Sequence, residues 1–287
     1  MRARGPGVPD PGWGAPPVRR DGASAPRGQF KRRALGQHFL RDPGIARAIV
    51  DLVAPTPEDR VVEIGPGQGA LTGELARRAG QVLALEVDRV LIERLRGAFP
   101  AIDVREADAR AWDWTSLARP AGGRTLVVGN LPYSVGTTIL TALARAPRAI
   151  DGMALMLQRE VAERVAAAPG GKTYGSLSVY VQLHWRVELA MRVPPGAFRP
   201  PPKVESAVLR LTPLPAPRVD VADERRFEAV VRAAFAQRRK TLANALASGL
   251  GLAAGVVRDA AAGAGINPGR RAETLHIEEF AEVARRL

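Results

Sequence analysis

No cysteine occurs anywhere in the 287 residues. Disulfides, thiol nucleophiles and cysteine-ligated zinc are excluded together, and a reducing compartment is the natural expectation. Long apolar runs are missing as well. No stretch reaches the roughly 18 consecutive apolar residues of a membrane helix. The first thirty residues are rich in Pro, Gly and Arg and hold no apolar h-region, so a secretory signal is not expected. Lysine is scarce: Lys31, Lys172, Lys203 and Lys240 are the only four among 42 Lys plus Arg. This skew, alongside abundant Ala, Gly and Pro, reads as the base composition of the gene. It does not explain the surplus of cations, because exchanging Lys for Arg changes no charge. The formal charge of +13 therefore points to a polyanionic partner, nucleic acid ahead of a membrane surface. At 46% hydrophobic the chain can bury a sizeable core.

Residues 1–30 read as a disordered basic tail without apolar periodicity. From Leu35 short apolar runs alternate with amphipathic segments. Strands are expected over 60–64, 81–87, 102–106, 125–129 and 152–157, with helical patterns such as 70–79 and 90–99 between them. Strict alternation predicts a parallel sheet with helices on its faces. The order then changes to a helix over 159–168, a Gly-containing loop, a helix near 176–182 and two strand-like runs, 184–193 and 206–211. Two strands joined without a helix predict an antiparallel edge. Leu214-Pro215-Ala216-Pro217 marks a boundary, so the expected domains are 31–214 and a small helical one over 218–287. In the latter, Phe227, Val230, Val231, Ala234 and Phe235 have helical spacing.

The first chemically specific stretch is Glu63-Ile64-Gly65-Pro66-Gly67-Gln68-Gly69-Ala70, a strand running into a glycine turn and a helix. Gly65, Gly67 and Ala70 also satisfy the dinucleotide fingerprint, and Glu86 could bond ribose hydroxyls of either class of cofactor. Two further acids favour a methyl donor. Glu63 stands inside the first strand, as is common in methyltransferases of this fold, and Asp108 ends the third strand, where it could receive an adenine amine. Asn130-Leu131-Pro132-Tyr133 then follows an apolar strand. The exocyclic nitrogen of adenine is a poor nucleophile because its lone pair is delocalised into the ring. Acceptors on the Asn130 side chain and the Leu131 carbonyl would bond its two hydrogens and localise that pair, and their dipoles would stabilise the positive charge that develops. Pro132 stiffens the backbone and Tyr133 offers a stacking ring.

With these residues in hand, the chain resembles the bacterial small-subunit ribosomal RNA adenine N6,N6-dimethyltransferases from about residue 31 onward. Six stretches carry the resemblance: Leu35-Gly36-Gln37-His38-Phe39-Leu40, Glu63-Ile64-Gly65-Pro66-Gly67, Asn130-Leu131-Pro132-Tyr133, Phe198-Arg199-Pro200-Pro201-Pro202-Lys203-Val204, Arg238-Arg239-Lys240-Thr241-Leu242 and Arg271-Ala272-Glu273-Thr274-Leu275. It implies an α/β, Rossmann-like S-adenosylmethionine-dependent methyltransferase sheet, mostly parallel with an antiparallel edge, plus the C-terminal helical domain. It implies cofactor contacts at His38, Leu40, Gly65, Glu86, Asp108 and Asn130, with S-adenosylhomocysteine leaving and no metal. His38 stands where the family shows Asn or His. Phe198 matches a residue that stacks on the target base opposite Tyr133. The implied substrate is a pair of adjacent adenosines in the 3′-terminal hairpin of small-subunit RNA, within the assembling subunit. A cytoplasmic monomer without membrane contact is the matching expectation.

Lys31-Arg32-Arg33 and Arg238-Arg239-Lys240 are the candidate phosphate contacts, the latter expected on a helix. Three rival readings stand beside this one. A nicotinamide-dependent oxidoreductase accounts for the glycines and Glu86 but leaves Asn130–Tyr133 and the basic surplus unexplained. A large-subunit RNA adenine methyltransferase of the macrolide-resistance type shares the chemistry, but the Phe198–Val204 loop and the Arg239-Lys240-Thr241-Leu242 segment favour the small-subunit branch. A non-catalytic RNA-binding assembly protein would have no need of an intact Asn-x-Pro-Tyr.

Overall fold

The computed structural model describes residues 38–287. The expected tail over 1–30, Lys31-Arg32-Arg33 and Leu35-Gly36-Gln37 lie outside them. The chain enters through β1 (Phe39–Leu40) and α1 (Pro43–Asp51). Asp42 starts α1 by accepting the amides of Gly44 and Ile45 at 2.8 and 3.1 Å, and Pro43 occupies the first turn, where a missing N–H costs nothing. The alternating section follows as β2 (Arg60–Ile64), α2 (Ala70–Leu75), β3 (Gln81–Glu86), α3 (Arg89–Ala98), β4 (Asp103–Glu106), β5 (Thr125–Asn130), α4 (Gly136–Ala144) and β6 (Gly152–Gln158). Next come α5 (Arg159–Ala166), α6 (Ser176–His184), β7 (Trp185–Val193), β8 (Phe198–Arg199) and β9 (Ser206–Pro213). Four helices close the chain: α7 (Glu224–Ala236), α8 (Leu242–Leu250), α9 (Ala254–Gly263) and α10 (Ile277–Arg286).

Seven strands form one sheet in the order β4-β3-β2-β5-β6-β9-β7. The first five are parallel, while β9 runs antiparallel to β6 and β7 antiparallel to β9. The antiparallel edge expected from the sequence is thus present. Consecutive strand residues are buried on opposite faces. Val62, Val127 and Leu155 pack in one apolar cluster, Val61, Val128 and Ala154 in another on the α1 and α2 side. Burial on both faces is why these strands read as continuous apolar runs rather than as alternation. α2 is shorter than the 70–79 pattern, which gives way to a turn whose Arg78 and Ala79 amides both return to the Leu75 carbonyl.

From β2 the chain winds outward through β3 and β4, then crosses back to place β5 on the other side of β2. Ligands of open α/β sheets bind at this switch, outside the carboxyl ends of the strands. Here the two ends are Ile64 and Gly129, directly paired, and they lead into Gly65 and Asn130. The C-terminal helices hold a cluster of their own, built on Phe227, Val230, Val231, Leu242, Leu246 and Phe280. Tyr174, Val179 and Leu183 join it from α6 and the loop before it, so the helices pack on the sheet section through an apolar contact. Among the described residues, no helix is long and apolar enough to cross a membrane.

Candidate active site

The glycine turn after β2 has positive φ at Gly65, Gly67 and Gly69. Gly67 shows why at least one must lack a side chain. A Cβ there would lie 2.9 Å from the Phe39 ring, which covers the turn from the β1 side. Glu86, at the end of β3 and 4% exposed, faces the same turn. One carboxylate oxygen accepts the amides of Val87 and Asp88 at 2.8 and 3.1 Å, and the other that of Gly67 at 3.3 Å. A carboxylate has about four acceptor positions, so three amides leave room for a ligand hydroxyl.

Glu63 lies deeper. Thr72 donates its hydroxyl to Oε2 at 2.7 Å, while Oε1 is buried with no hydrogen-bond partner among the described residues. Burial, with the nearby Glu86 charge adding to it, pushes the carboxyl up to about 8 against the opposing Thr72 bond. The same burial favours the neutral, protonated form of Glu63 at the base of the glycine turn.

Asp108 follows β4, whose end is tied to β3 by the Ala107 amide donating to the Glu86 carbonyl at 2.9 Å. Its carboxylate already takes a fork from the Arg110 guanidinium, at 2.9 to 3.0 Å from Nε and 2.6 Å from the terminal nitrogen. That bond holds the carboxyl below the usual carboxylate range. A ligand amine at Asp108 would share it with Arg110.

Asn130 ends β5 at the switch point. Its side-chain Nδ2 donates to the His38 backbone carbonyl at 3.1 Å. An acceptor facing Nδ2 fixes which way the amide lies, so Oδ1 is turned away from His38. Leu131 is 1% exposed and its amide donates to the Met156 carbonyl at 3.0 Å. The Pro132 carbonyl accepts the amides of Val135 and Gly136, which starts α4 directly behind the motif. Tyr133 donates to or accepts from Ser206 Oγ at 2.6 Å, and its half-buried phenol is shifted upward by desolvation. Its ring centroid lies 5.6 Å from that of His38.

His38, Leu40, Gly65, Glu86, Asp108 and Asn130 all lie along this carboxyl edge or in the strand that covers it. Leu40 contributes no side chain to the crevice, because it is 5% exposed and belongs to the apolar cluster below. Two expectations need correction. Phe198 pairs with Leu40 across the β1–β8 ladder and is 4% exposed, packed in the same cluster. Its ring faces the core and is not offered to a base. Arg238, Arg239 and Lys240 do not stand on a helix either, because α7 ends at Ala236 and the triplet forms the turn before α8. Arg238 is spent on the loop before α6, donating to the carbonyls of Lys172 and Tyr174. Arg239 and Lys240 remain exposed.

Sequence reasoning missed three participants: Thr72, Ser206 and the carbonyl of His38. Each acts through a partner 9, 73 or 92 residues away, and no local pattern announces such contacts. A cleft of about 1610 Å³ between α4, α6 and α7, lined by Arg145, Tyr180, His184 and Phe227 among others, lies at the opposite sheet edge and includes none of these site residues.

The small-subunit methyltransferase A of Geobacter metallireducens is 46% identical over 89% of this chain and 95% of its own length. That of Moorella thermoacetica is also 46% identical, over 91% and 94%. Among solved structures, the 23S rRNA methyltransferase ErmE is similar with a TM-score of 0.64 and 28% identity, over 87% of this chain and 99% of ErmE. A dimethyladenosine transferase of Plasmodium falciparum shares the fold with a TM-score of 0.73, 23% identity and coverage of 86% and 96%. The family model for ribosomal RNA adenine dimethylases matches residues 28–287, and this chain belongs to that family.

Proposed function

We propose that the chain transfers methyl groups from S-adenosylmethionine to N6 of two adjacent adenosines in the 3′-terminal hairpin of small-subunit ribosomal RNA. The observation that carries this reading is the pinned carboxamide of Asn130. With Nδ2 committed to the His38 carbonyl, Oδ1 is an oriented acceptor at the carboxyl edge, next to the glycine turn. An exocyclic amine needs such an acceptor, and a hydride acceptor does not.

The residues around the glycine turn suit the cofactor. Glu86 keeps an acceptor position for a ribose hydroxyl, Asp108 can take the amine of the cofactor's adenine alongside Arg110, and the partnerless Glu63 oxygen leaves a polar group available beneath the turn. When bound, S-adenosylmethionine supplies an electrophilic methyl group on a sulfonium. The chain's own task is to aim a nitrogen at it. Asn130 Oδ1 and the Leu131 carbonyl take the two N6 hydrogens, the Pro132 carbonyl being consumed by the start of α4. The lone pair is thereby freed from the ring and directed. The same dipoles favour the cation as charge builds on N6, and the methylated amine releases its proton to water. Tyr133, braced by Ser206, supplies one stacking face for the base.

Residues 218–287 act in this reading as a helical RNA-binding domain on the methyltransferase domain of 31–214. The protein works as a cytoplasmic monomer on the assembling small subunit. Relatives named as small-subunit enzymes at 46% identity, against 28% for ErmE, support this branch over the large-subunit one. Incubation with radiolabelled S-adenosylmethionine and unmethylated small or large subunits tests it. Label should enter the small-subunit RNA alone, and label in large-subunit RNA would assign the chain to the other branch.

A further inference from the structure

We propose that Arg41, Arg199 and Lys203 form a phosphate-binding rim that grips the RNA backbone beside the target adenosine. The proposal rests on the functional reading above and adds a site to it. β1 and β8 pair antiparallel, with Phe39 opposite Arg199 and Leu40 opposite Phe198, and the Arg41 amide extends the ladder by donating to the Ala197 carbonyl at 2.8 Å. Side chains alternate across such a ribbon. Leu40 and Phe198 take one face and are buried, which leaves Arg41 and Arg199 on the other, the face whose Phe39 covers the glycine turn. Both are exposed, as is Lys203 in the proline loop just beyond.

Elsewhere around the sheet exposed arginines face carboxylates, as Arg89 does Glu106 and Arg110 does Asp108. No carboxylate among the described residues forms an ion pair with Arg41, Arg199 or Lys203. The adjacent acids are already engaged: Asp42 holds the first amides of α1, and Glu205 pairs with Arg159. The ribbon therefore carries uncompensated positive charge, and it is fastened to the reacting centre by the bond from Asn130 to the His38 carbonyl. Arg41 lies three residues beyond His38, at most roughly 10 Å along an extended chain. That separation compares with the reach of a nucleotide from its exocyclic amine to its phosphates. Guanidinium forks match phosphate oxygens, and contacts to the backbone beside an extracted base would offset the cost of unstacking it.

The test uses the full chain with Arg41→Gln, Arg199→Gln and Lys203→Gln combined, and unmethylated small subunits as the probe. The slope of log affinity against log salt should flatten by about 2 to 2.5. The KM for subunits should rise by about tenfold or more, kcat at saturation should stay within a few fold, and affinity for S-adenosylhomocysteine should not move. Exchanging the three for the other basic residue (Arg41→Lys, Arg199→Lys, Lys203→Arg) should restore most of the slope. An unchanged slope and KM in a variant that melts like the wild type would overturn the rim while leaving the methyltransferase reading intact. Loss of S-adenosylhomocysteine affinity with an unchanged slope would overturn it too, assigning the cations to the cofactor's carboxylate. A wild-type chain that neither binds nor methylates small subunits would overturn both readings.

Discussion

The carboxamide nitrogen of Asn130 donates to the backbone carbonyl of His38 at 3.1 Å, joining residues 92 apart in the chain. His38 in turn brings its ring Nδ1 within 2.8 Å of the Pro200 carbonyl, so Nδ1 carries the proton and donates. One residue thus links the entry strand, the reacting motif and the proline loop. Asn130→Ala removes the oriented acceptor and should lower the single-turnover methylation rate by about 10² to 10³. Asn130→Asp keeps the shape but places an acceptor against the His38 carbonyl, and it should fall nearly as far. Calorimetry with S-adenosylhomocysteine should show less than a tenfold change for either. Near-normal single turnover would remove Asn130 from the chemistry.

Glu63 makes stability depend on pH. Its carboxyl is raised to about 8 in the fold, mainly by burial, from an ordinary value of 4.5. The folded state therefore binds more protons than the unfolded chain between those values. Its contribution is intact below about pH 4.5 and is lost progressively as pH rises towards 8. Glu63→Gln, which stays neutral, should flatten this part of the profile and raise stability at pH 8 by up to a few kcal/mol. Denaturant titrations of both proteins at pH 5.5 and pH 8 check it, and parallel profiles would place the Glu63 titration elsewhere.

Glu86 holds the glycine turn by accepting three backbone amides, and in the proposed reading it also takes a ribose hydroxyl of the cofactor. Glu86→Ala removes the acceptor of three part-buried amides, at a net cost of about 0.5 to 1.5 kcal/mol each. The variant should melt several degrees lower while still folding cooperatively, and its affinity for S-adenosylhomocysteine should fall by about 10² or more. Calorimetry on the folded variant decides the second point.

The basic triplet before α8 divides by role. Arg238→Ala should reduce the melting temperature, since its guanidinium holds the carbonyls of Lys172 and Tyr174, and should scarcely alter the salt slope of RNA binding. Neutralising Arg239 and Lys240 together should do the reverse, leaving stability alone and flattening the slope by about 1.5 to 2. Filter binding across a salt series separates the two.

Most of this was legible before any coordinates, for physical reasons. Strands buried on both faces cannot avoid long apolar runs, and a turn with positive φ at Gly65 and Gly67, packed under Phe39, favours glycine. α1 is capped by a local pair, Asp42-Pro43, but too short a pattern follows it to stand out among the strand signals. α4 lacks even that: Val135 provides no side-chain cap, and its first turn holds two threonines. The inward turn of Phe198 was not legible, because it depends on pairing with Leu40, 158 residues earlier. The role of Arg238 was hidden similarly, since its acceptors are backbone carbonyls and no sequence pattern distinguishes a carbonyl that needs a partner.

Dimethylation at N6 is read out by nucleoside mass spectrometry. Unmethylated small subunits would be incubated with the full chain and S-adenosylmethionine, the RNA digested, and the modified nucleosides counted per subunit. About two N6,N6-dimethyladenosines per small-subunit RNA are expected, both mapping to the 3′-terminal hairpin, and none with Asn130→Ala over the same period. Unmodified adenosine there, with a chain that binds S-adenosylhomocysteine normally, would contradict N6 dimethylation.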